Sequence, residues 1–222
     1  EVHVEEFPRQ YEYVDGAVIM PRLAGQKIPI PPEWVRLRSD MPQRAKFACL
    51  SKEIAHLYPA QVREVLVRYV REWPTIRQSG TDLIIAGRVS TRKLRWAASA
   101  VVNEIVMRYG QVSALSTYWF SPGNLTWLVD AREAGAEEYA PIRNRILNRK
   151  LLFVENPLAI GENGEGRWFL RALYEHRYNN QLPTITTLPV DLNWGWDDVR
   201  KVLGNDVTDI LRENHEDFLA HY

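Results

Sequence analysis

Four short apolar runs, separated by stretches of helical periodicity, constrain the fold of this 222-residue chain more than any other feature. They are DLIIA (82–86), VSALSTYW (112–119), KLLFVE (150–155) and PTITTL (183–188). Short apolar strands that alternate with helices are typical of βαβ units, in which the strands run parallel. The sequence therefore predicts an α/β fold, a parallel sheet with helices on both of its faces.

Helical periodicity is predicted over residues 41–58, 59–73, 92–108, 123–147 with an interruption near Gly135, 164–180 and 195–213. Pro59 ends the first segment and begins the second, where proline is well tolerated. In the segment 164–180, basic side chains alternate with apolar ones, which predicts a covering helix with a solvated basic face. That face would carry Arg167, Arg171, His176 and Arg177.

Residues 1–40 have a different composition, with prolines at positions 8, 21, 29, 31 and 32. Repeated proline removes backbone donors and fixes φ, so long helices are not expected there. We predict an extended proline-rich arm with a short hairpin at YVDGAVI (13–19). The arm either packs on its own domain or docks on a partner. Residues 41–222 would then form the α/β domain, which ends in a small helical segment.

The charge balance argues against a general attraction to nucleic acid. The 28 basic and 28 acidic residues cancel, so nucleic-acid binding would need a local patch. The single cysteine forms no internal disulfide, and no metal-ligand spacing occurs, so we expect a reducing compartment and no metal site. No apolar run approaches the roughly 20 residues that cross a bilayer. A cytoplasmic protein is expected.

The turn after the first apolar run occupies the place of a phosphate-binding loop. The template G-x-x-x-x-G-K-[ST] lies between a strand and a helix, as GRVSTRKL (87–94) does here. Gly87 and Lys93 match it. Arg92 replaces the second glycine, which lets backbone N–H groups close around phosphates, and Leu94 replaces the hydroxyl that holds Mg²⁺.

The run LLFVEN (151–156) has the pattern of the strand that carries the acidic residues of such ATPases. Glu155 takes the metal-binding position, and Asn156 takes the position of the base that activates water. An amide cannot accept a proton at neutral pH, so this base is lost. No catalytic residue is predicted, and Gly87, Lys93 and Glu155 remain as a degenerate nucleotide site.

From the acidic strand to PTITTL, and again from SGTDLIIAG to AASAVVNEI, the sequence resembles the DnaC/DnaI/IstB group. These AAA+ ATPases load replicative helicases or assist transposases. The resemblance covers roughly residues 42–213 and includes matches at Arg177, Tyr178, Pro183, Thr184 and Ile185. It implies an AAA+-like P-loop NTPase core with a short helical lid, in a bacterial or phage-infected cell.

The departures from the family pattern all remove catalytic groups. The sensor asparagine expected after Thr186-Thr187 is missing, and the arginine-finger position holds Asp206. The second sensor arginine falls on Ile210, although Arg212 lies nearby. An aspartate at the finger position would repel the transition-state charge that an arginine stabilises. The resemblance therefore implies a pseudo-ATPase with no cofactor expected, and passive binding of ATP or ADP with Mg²⁺ as the alternative.

Two groups of side chains are candidates for nucleic-acid contact. The basic cluster Arg88, Arg92, Lys93 and Arg95 either forms an anion site or fills an emptied cleft and pairs with Glu155 or nearby acids, with Arg88 or Arg92 expected in that role. Tyr118, Trp119 and Phe120 follow the second strand, where the family contacts single-stranded DNA. They could stack on bases, although alternation in a strand places at least one of them in the core.

Three functions fit these observations. The first is a catalytically degenerate adaptor or inhibitor in DNA replication or transposition, whose partner is a replicative helicase, a transposase or an active AAA+ homologue, with single-stranded DNA as a further contact. The second is a divergent active ATPase that uses Lys93 and Glu155. The third is a structural component of a ring or filament. The sequence leaves a homo- or hetero-oligomer open.

Overall fold

The computed structural model describes residues 58–109, 117–120, 139–162, 164–191, 195–215 and 217–222, together with 12–14, 17–20, 28–29, 48, 50, 128, 132–133, 135 and 137. Strand β1 (Glu12–Val14), β2 (Ala17–Met20) and β3 (Ile28–Pro29) form a small antiparallel sheet. Tyr13 lies opposite Val18, which confirms the hairpin predicted at YVDGAVI.

The main sheet has five parallel strands in the order β5-β6-β7-β4-β8. They are β4 (Leu83–Ala86), β5 (Thr117–Phe120), β6 (Leu151–Glu155), β7 (Thr184–Leu188) and β8 (Leu219–His221). The predicted parallel α/β sheet is therefore confirmed. The strand β8 was not predicted, because LAH (219–221) carries little apolar pattern, and it lies beyond the last predicted helix, which ends near residue 213.

Seven helices are described. They are α1 (Ala60–Ser79), α2 (Thr91–Tyr109), α3 (Tyr139–Leu147), α4 (Pro157–Gly161), α5 (Gly164–Asn179), α6 (Trp196–Leu203) and α7 (Asn205–Asn214). Gly135 adopts a φ of +62°, in agreement with the interruption expected there. Helix α1 runs on through the exposed Pro74, six residues beyond its predicted end at residue 73.

The sheet is buried on both faces, which explains its continuous apolar runs. Alternate residues of β4 belong to different cores. Leu83 and Ile85 pack with α1 and α2, whereas Ile84 and Ala86 pack with α3 to α7. The final helices α6 and α7 contribute Val199, Leu203, Val207 and Leu211 to the second core.

A buried polar network joins the amino ends of β4 and β7. Asp82 Oδ1 accepts a hydrogen bond of 2.6 Å from the backbone N–H of Thr184. Arg177 donates to Thr184 Oγ1 at 2.9 Å and to the carbonyl oxygens of Leu147, Arg149 and Pro183. Burial lowers the pKa of Arg177 to about 10, so its guanidinium stays charged at neutral pH. The expectation of a solvated Arg177 is wrong, because the strand ends supply enough acceptors to bury it.

The helix predicted over 41–58 is contradicted at Ala48 and Leu50, which are not helical. Their backbone groups bond to side chains instead. Asn103 Nδ2 donates to the Ala48 carbonyl at 2.8 Å, and the Leu50 N–H donates to Glu104 Oε1 at 3.1 Å. Helical periodicity gave a wrong prediction here, because the pattern contains no information on side chains far along the chain that form the backbone hydrogen bonds.

Candidate functional site

Gly87 lies at the carboxyl edge of the sheet, between the ends of β7 and β8. Its N–H donates to the Leu188 carbonyl at 3.2 Å, and Tyr222 N–H donates to the Ala86 carbonyl at 2.8 Å. Its φ is +147°, and a Cβ at this position would lie 2.7 Å from Tyr222 Cβ. The glycine that matches the phosphate-loop template is therefore required by the close approach of Tyr222.

Helix α2 begins at Thr91, two residues before the template lysine. The Lys93 N–H donates to the Ser90 carbonyl at 2.8 Å, so it belongs to the first helical turn. Lys93 Nζ lies 5.0 Å from the centre of the Tyr222 ring, within the range of a cation–π contact. Leu94 is 1% exposed and belongs to the core beneath α2. The Lys93 N–H and the Leu94 side chain are thus engaged within the protein, and the Lys93 ammonium lies against an aromatic ring.

Arg95 reaches from the first turns of α2 to the end of β6. Its Nε donates to Glu155 Oε1 at 2.7 Å, and its Nη2 forms a second, short contact with the same oxygen. The Glu155 side chain is 5% exposed and that of Arg95 is 34% exposed. The carboxylate at the metal-binding position of the template therefore faces a guanidinium supplied by the same chain.

Asn156 follows Glu155 in a left-handed conformation, with φ 45° and ψ 65°. Asparagine tolerates this region better than most residues with a Cβ. Its N–H donates to Thr187 Oγ1 at 3.1 Å, which fixes the end of β6 to the end of β7. Its Oδ1 is buried and accepts no hydrogen bond from any residue that the structure describes. The backbone of Asn156 is thus fixed by its N–H, and an amide side chain stands where the catalytic base is expected.

The structure separates the members of the predicted basic cluster. Arg95 is the residue that pairs with Glu155, so the expectation of Arg88 or Arg92 as its partner is wrong. Both of those side chains are exposed. Lys201, through a hydrogen bond, and Arg88, more weakly through its charge, lower the pKa of Asp198 at the start of helix α6. Arg92 and Arg95 lie three residues apart on α2, on the same side of the helix but at different positions along its axis, and Arg95 is the one that reaches Glu155.

The remaining motif positions are also engaged locally. Thr186 is buried and its hydroxyl lies 2.9 Å from that of Tyr174. Asp206, at the finger position, forms a 3.0 Å ion pair with Arg171 of helix α5. The Arg212 guanidinium lies 5.9 Å from the centre of the Trp196 ring. Arg212, the arginine near the second sensor position, thus contacts the neighbouring helix α6 through Trp196.

Tyr118, Trp119 and Phe120 lie in β5, the strand at one edge of the sheet. Only their backbone is described, so their stacking on single-stranded DNA stays a prediction. In the described part of the chain, no cluster of His, Cys, Asp or Glu side chains could hold a metal ion. Among the described helices, none is sufficiently long and apolar to span a membrane.

The sequence matches no protein-family model and no curated protein. Solved structures do match. The DnaC helicase loader superposes with a TM-score of 0.65 at 19% identity, over 81% of this chain and 99% of that one. The chain has the fold of a DnaC-type AAA+ protein. DnaI matches with a TM-score of 0.58 at 16% identity, over 84% of this chain and 96% of that one.

The replication initiator DnaA, solved with AMPPCP and single-stranded DNA, matches with a TM-score of 0.51 at 16% identity. The match covers 72% of this chain and 44% of that one. The resemblance to the DnaC and DnaI group is thus confirmed at the level of the fold, including the parallel sheet that carries the cleft.

The DnaC-type fold implies a nucleotide with Mg²⁺ at the carboxyl edge of the sheet, but the described residues fit this group poorly. The position of the metal-binding hydroxyl holds the buried Leu94, and Arg95 neutralises Glu155. Lys93, which would contact phosphate, lies over an aromatic ring. A Mg²⁺ ion at Glu155 would have to displace a guanidinium from a largely buried carboxylate, a costly exchange.

Proposed function

We propose that this DnaC-like chain is a catalytically degenerate adaptor or inhibitor that acts on a replicative helicase through protein contacts. The contact between Arg95 and Glu155 is the observation that supports the loss of ATPase activity most directly. The likeness to the DnaC helicase loader over 99% of that chain supports the helicase as partner. Retention of the whole sheet, together with loss of the catalytic groups, favours a binding role over an enzymatic one.

Hydrolysis of a nucleotide needs a metal held by oxygen ligands and a base for the attacking water, and this cleft lacks both among its described residues. In an assembly it also needs a finger arginine that reaches the phosphate of a neighbouring subunit. Here Arg95 pairs with Glu155, the carboxylate that would bind the metal, and Asn156 stands where the base would be. Asp206 carries the wrong charge for a finger and already pairs with Arg171.

Arg92 is the strongest remaining candidate for a contact with single-stranded DNA. It is exposed on the first turn of α2, next to Lys93. The DNA contact would be electrostatic and would weaken with salt, because an arginine that binds a phosphate releases condensed counterions. An Arg92→Ala variant that binds a single-stranded oligonucleotide as well as the wild type would remove this part of the proposal.

The test of the partner is direct. The full chain and a purified bacterial replicative helicase are mixed and analysed by size-exclusion chromatography with light scattering. Our proposal predicts a stable complex that forms equally well with and without ATP and Mg²⁺. A chain that elutes apart from the helicase but together with a transposase would contradict the assignment, as would assembly into a ring or filament by itself.

A further inference from the structure

Residues Ala48 and Leu50 lie just before the described helices and are almost fully buried, at 0% and 2% exposure. Neither belongs to a helix or a strand. Their backbone groups bond to side chains of α1 and α2. Asn103 donates to the Ala48 carbonyl at 2.8 Å, Glu104 accepts from the Leu50 N–H at 3.1 Å, and Arg63 donates to the Leu50 carbonyl at 3.4 Å.

The Ala48 carbonyl and the Leu50 N–H both face helix α2. In a strand, the carbonyl of one residue and the N–H of the second residue after it also point to the same side. Asn103 offers a donor to the first group, and Glu104 offers an acceptor to the second. Two consecutive side chains of α2 therefore bind the backbone of Ala48 and Leu50 in the way that a neighbouring strand would.

Burial makes these bonds hard to replace. Asn103 and Glu104 are each 1% exposed, so water cannot take over from either side chain. A buried backbone group that loses its partner is destabilised by its full desolvation, and a carboxylate acceptor makes a stronger bond than a neutral one. Leu50 also packs into the core formed with α1 and α2. Backbone bonds and side-chain burial thus act on the same short segment.

We propose that Asn103 and Glu104 form a backbone clamp, which anchors the root of the N-terminal arm to helix α2. The clamp bonds main-chain atoms of Ala48 and Leu50 and acts together with the burial of their side chains. It gives the chain that precedes the α/β domain a fixed point of attachment at these two residues. The clamp gives the arm a fixed origin for docking on the helicase, and this last step rests on the proposed function.

Hydrogen exchange of the full chain tests the clamp without any partner. In Glu104→Leu the amide of Leu50 loses its acceptor, and its exchange should accelerate at least about tenfold. Glu104→Gln keeps an acceptor oxygen and should stay within about threefold of the wild type, because a neutral acceptor weakens the bond only partly. The amides of Ile84 and Ile185 in the sheet serve as internal references.

Unchanged exchange of Leu50 in Glu104→Leu, relative to the two sheet amides, would overturn the proposal. Equal acceleration of all three amides would also overturn it, since that outcome marks general destabilisation. If Glu104→Leu does not fold, Asn103→Leu and the partly exposed Arg63→Met replace it. Tryptic cleavage at Lys46 and Lys52, which flank the segment, should then rise while cleavage at Arg77 does not.

A helicase-binding measurement distinguishes a failure of the clamp proposal from a failure of the proposed function. If the wild type binds the helicase, Glu104→Leu should bind at least about fivefold more weakly than Glu104→Gln, because an arm without a fixed root must be ordered on binding. Equal affinities would overturn the docking role of the clamp. If the wild type does not bind the helicase, the proposed function fails, whereas the exchange of the Leu50 amide still decides the clamp.

Discussion

The guanidinium of Arg95 and the carboxylate of Glu155 form an ion pair across the cleft, with Arg95 Nε 2.7 Å from Glu155 Oε1. The pair connects the first turns of α2 to the end of β6. It places a positive group of the protein at the position where the DnaC-type fold implies a metal ion. The charge of Glu155 is therefore balanced by Arg95, without a bound ligand.

Replacement of Arg95 by leucine should destabilise the protein. The buried Glu155 would lose its counter-ion, and such losses are worth about 3–5 kcal/mol for fully buried pairs. Because a third of Arg95 is exposed, we expect about 2 kcal/mol here. The free energy of unfolding is measured by urea titration at pH 7.

Two matched variants give this prediction its controls. Arg92→Leu changes an exposed arginine of the same helical turn and should shift the free energy of unfolding by less than about 0.5 kcal/mol. The double variant Arg95→Leu with Glu155→Leu should recover most of the loss, because no charge is left buried alone. Similar effects of Arg92→Leu and Arg95→Leu would show that the ion pair stabilises nothing.

The stability should depend on pH through Asp82. Burial raises the pKa of this carboxyl from 3.8 to about 7, against hydrogen bonds from Asn214 and Thr184 and the charge of Arg177. Between these two pH values the folded state keeps a proton that the unfolded state releases. The free energy of unfolding should therefore fall as the pH rises from about 4 to 7.

Thermal unfolding of Asp82→Asn against pH isolates this contribution. The amide keeps an oxygen acceptor for the Thr184 N–H and carries no charge. The difference in Tm between variant and wild type should grow in favour of the variant as the pH rises to about 7. A difference that stays constant over this range would mean that Asp82 titrates alike in both states.

Gly80 should tolerate substitution much less than Gly135. Both residues have a left-handed φ, +78° and +62°. A Cβ at Gly80 would lie 2.5 Å from the Cα of Gln181, whereas a Cβ at Gly135 meets none of the described residues within 4 Å. Alanine at Gly135 should cost about 1–2 kcal/mol from backbone strain alone, and alanine at Gly80 clearly more.

Urea titration of Gly80→Ala and Gly135→Ala compares the two directly. The backbone of Gln181 cannot move without disturbing the start of β7, so the clash should persist. Equal losses in the two variants would show that the chain absorbs the contact at Gly80 by a local shift.

The sheet could be predicted from the sequence because its apolar runs are short and fully buried. Each of the runs around β4, β6 and β7 appears within one residue of its predicted bounds. Strands that lack such an apolar run were harder to predict. Leu219–His221 carries a single buried residue, Ala220, so its pairing with β4 depends on neighbours that a local pattern does not contain.

The site was predictable in its location but only partly in its contacts. The strand, turn and helix around Gly87 and Lys93 indicated the cleft, and an arginine paired with Glu155 was among the alternatives. The choice of Arg95 over Arg92 depends on how far along α2 each residue lies from the end of β6, a distance that the sequence motif does not contain. The contact of Lys93 with Tyr222 joins residues 129 positions apart, which no local motif can indicate.

Calorimetric titration of the full chain with ATP, with and without Mg²⁺, tests the central claim most directly. A parallel measurement of ATP turnover uses Lys93→Ala as its control. Our account predicts no binding heat at millimolar nucleotide and no turnover above the level of Lys93→Ala. Binding of ATP that requires Mg²⁺, with turnover that disappears in Lys93→Ala, would contradict it.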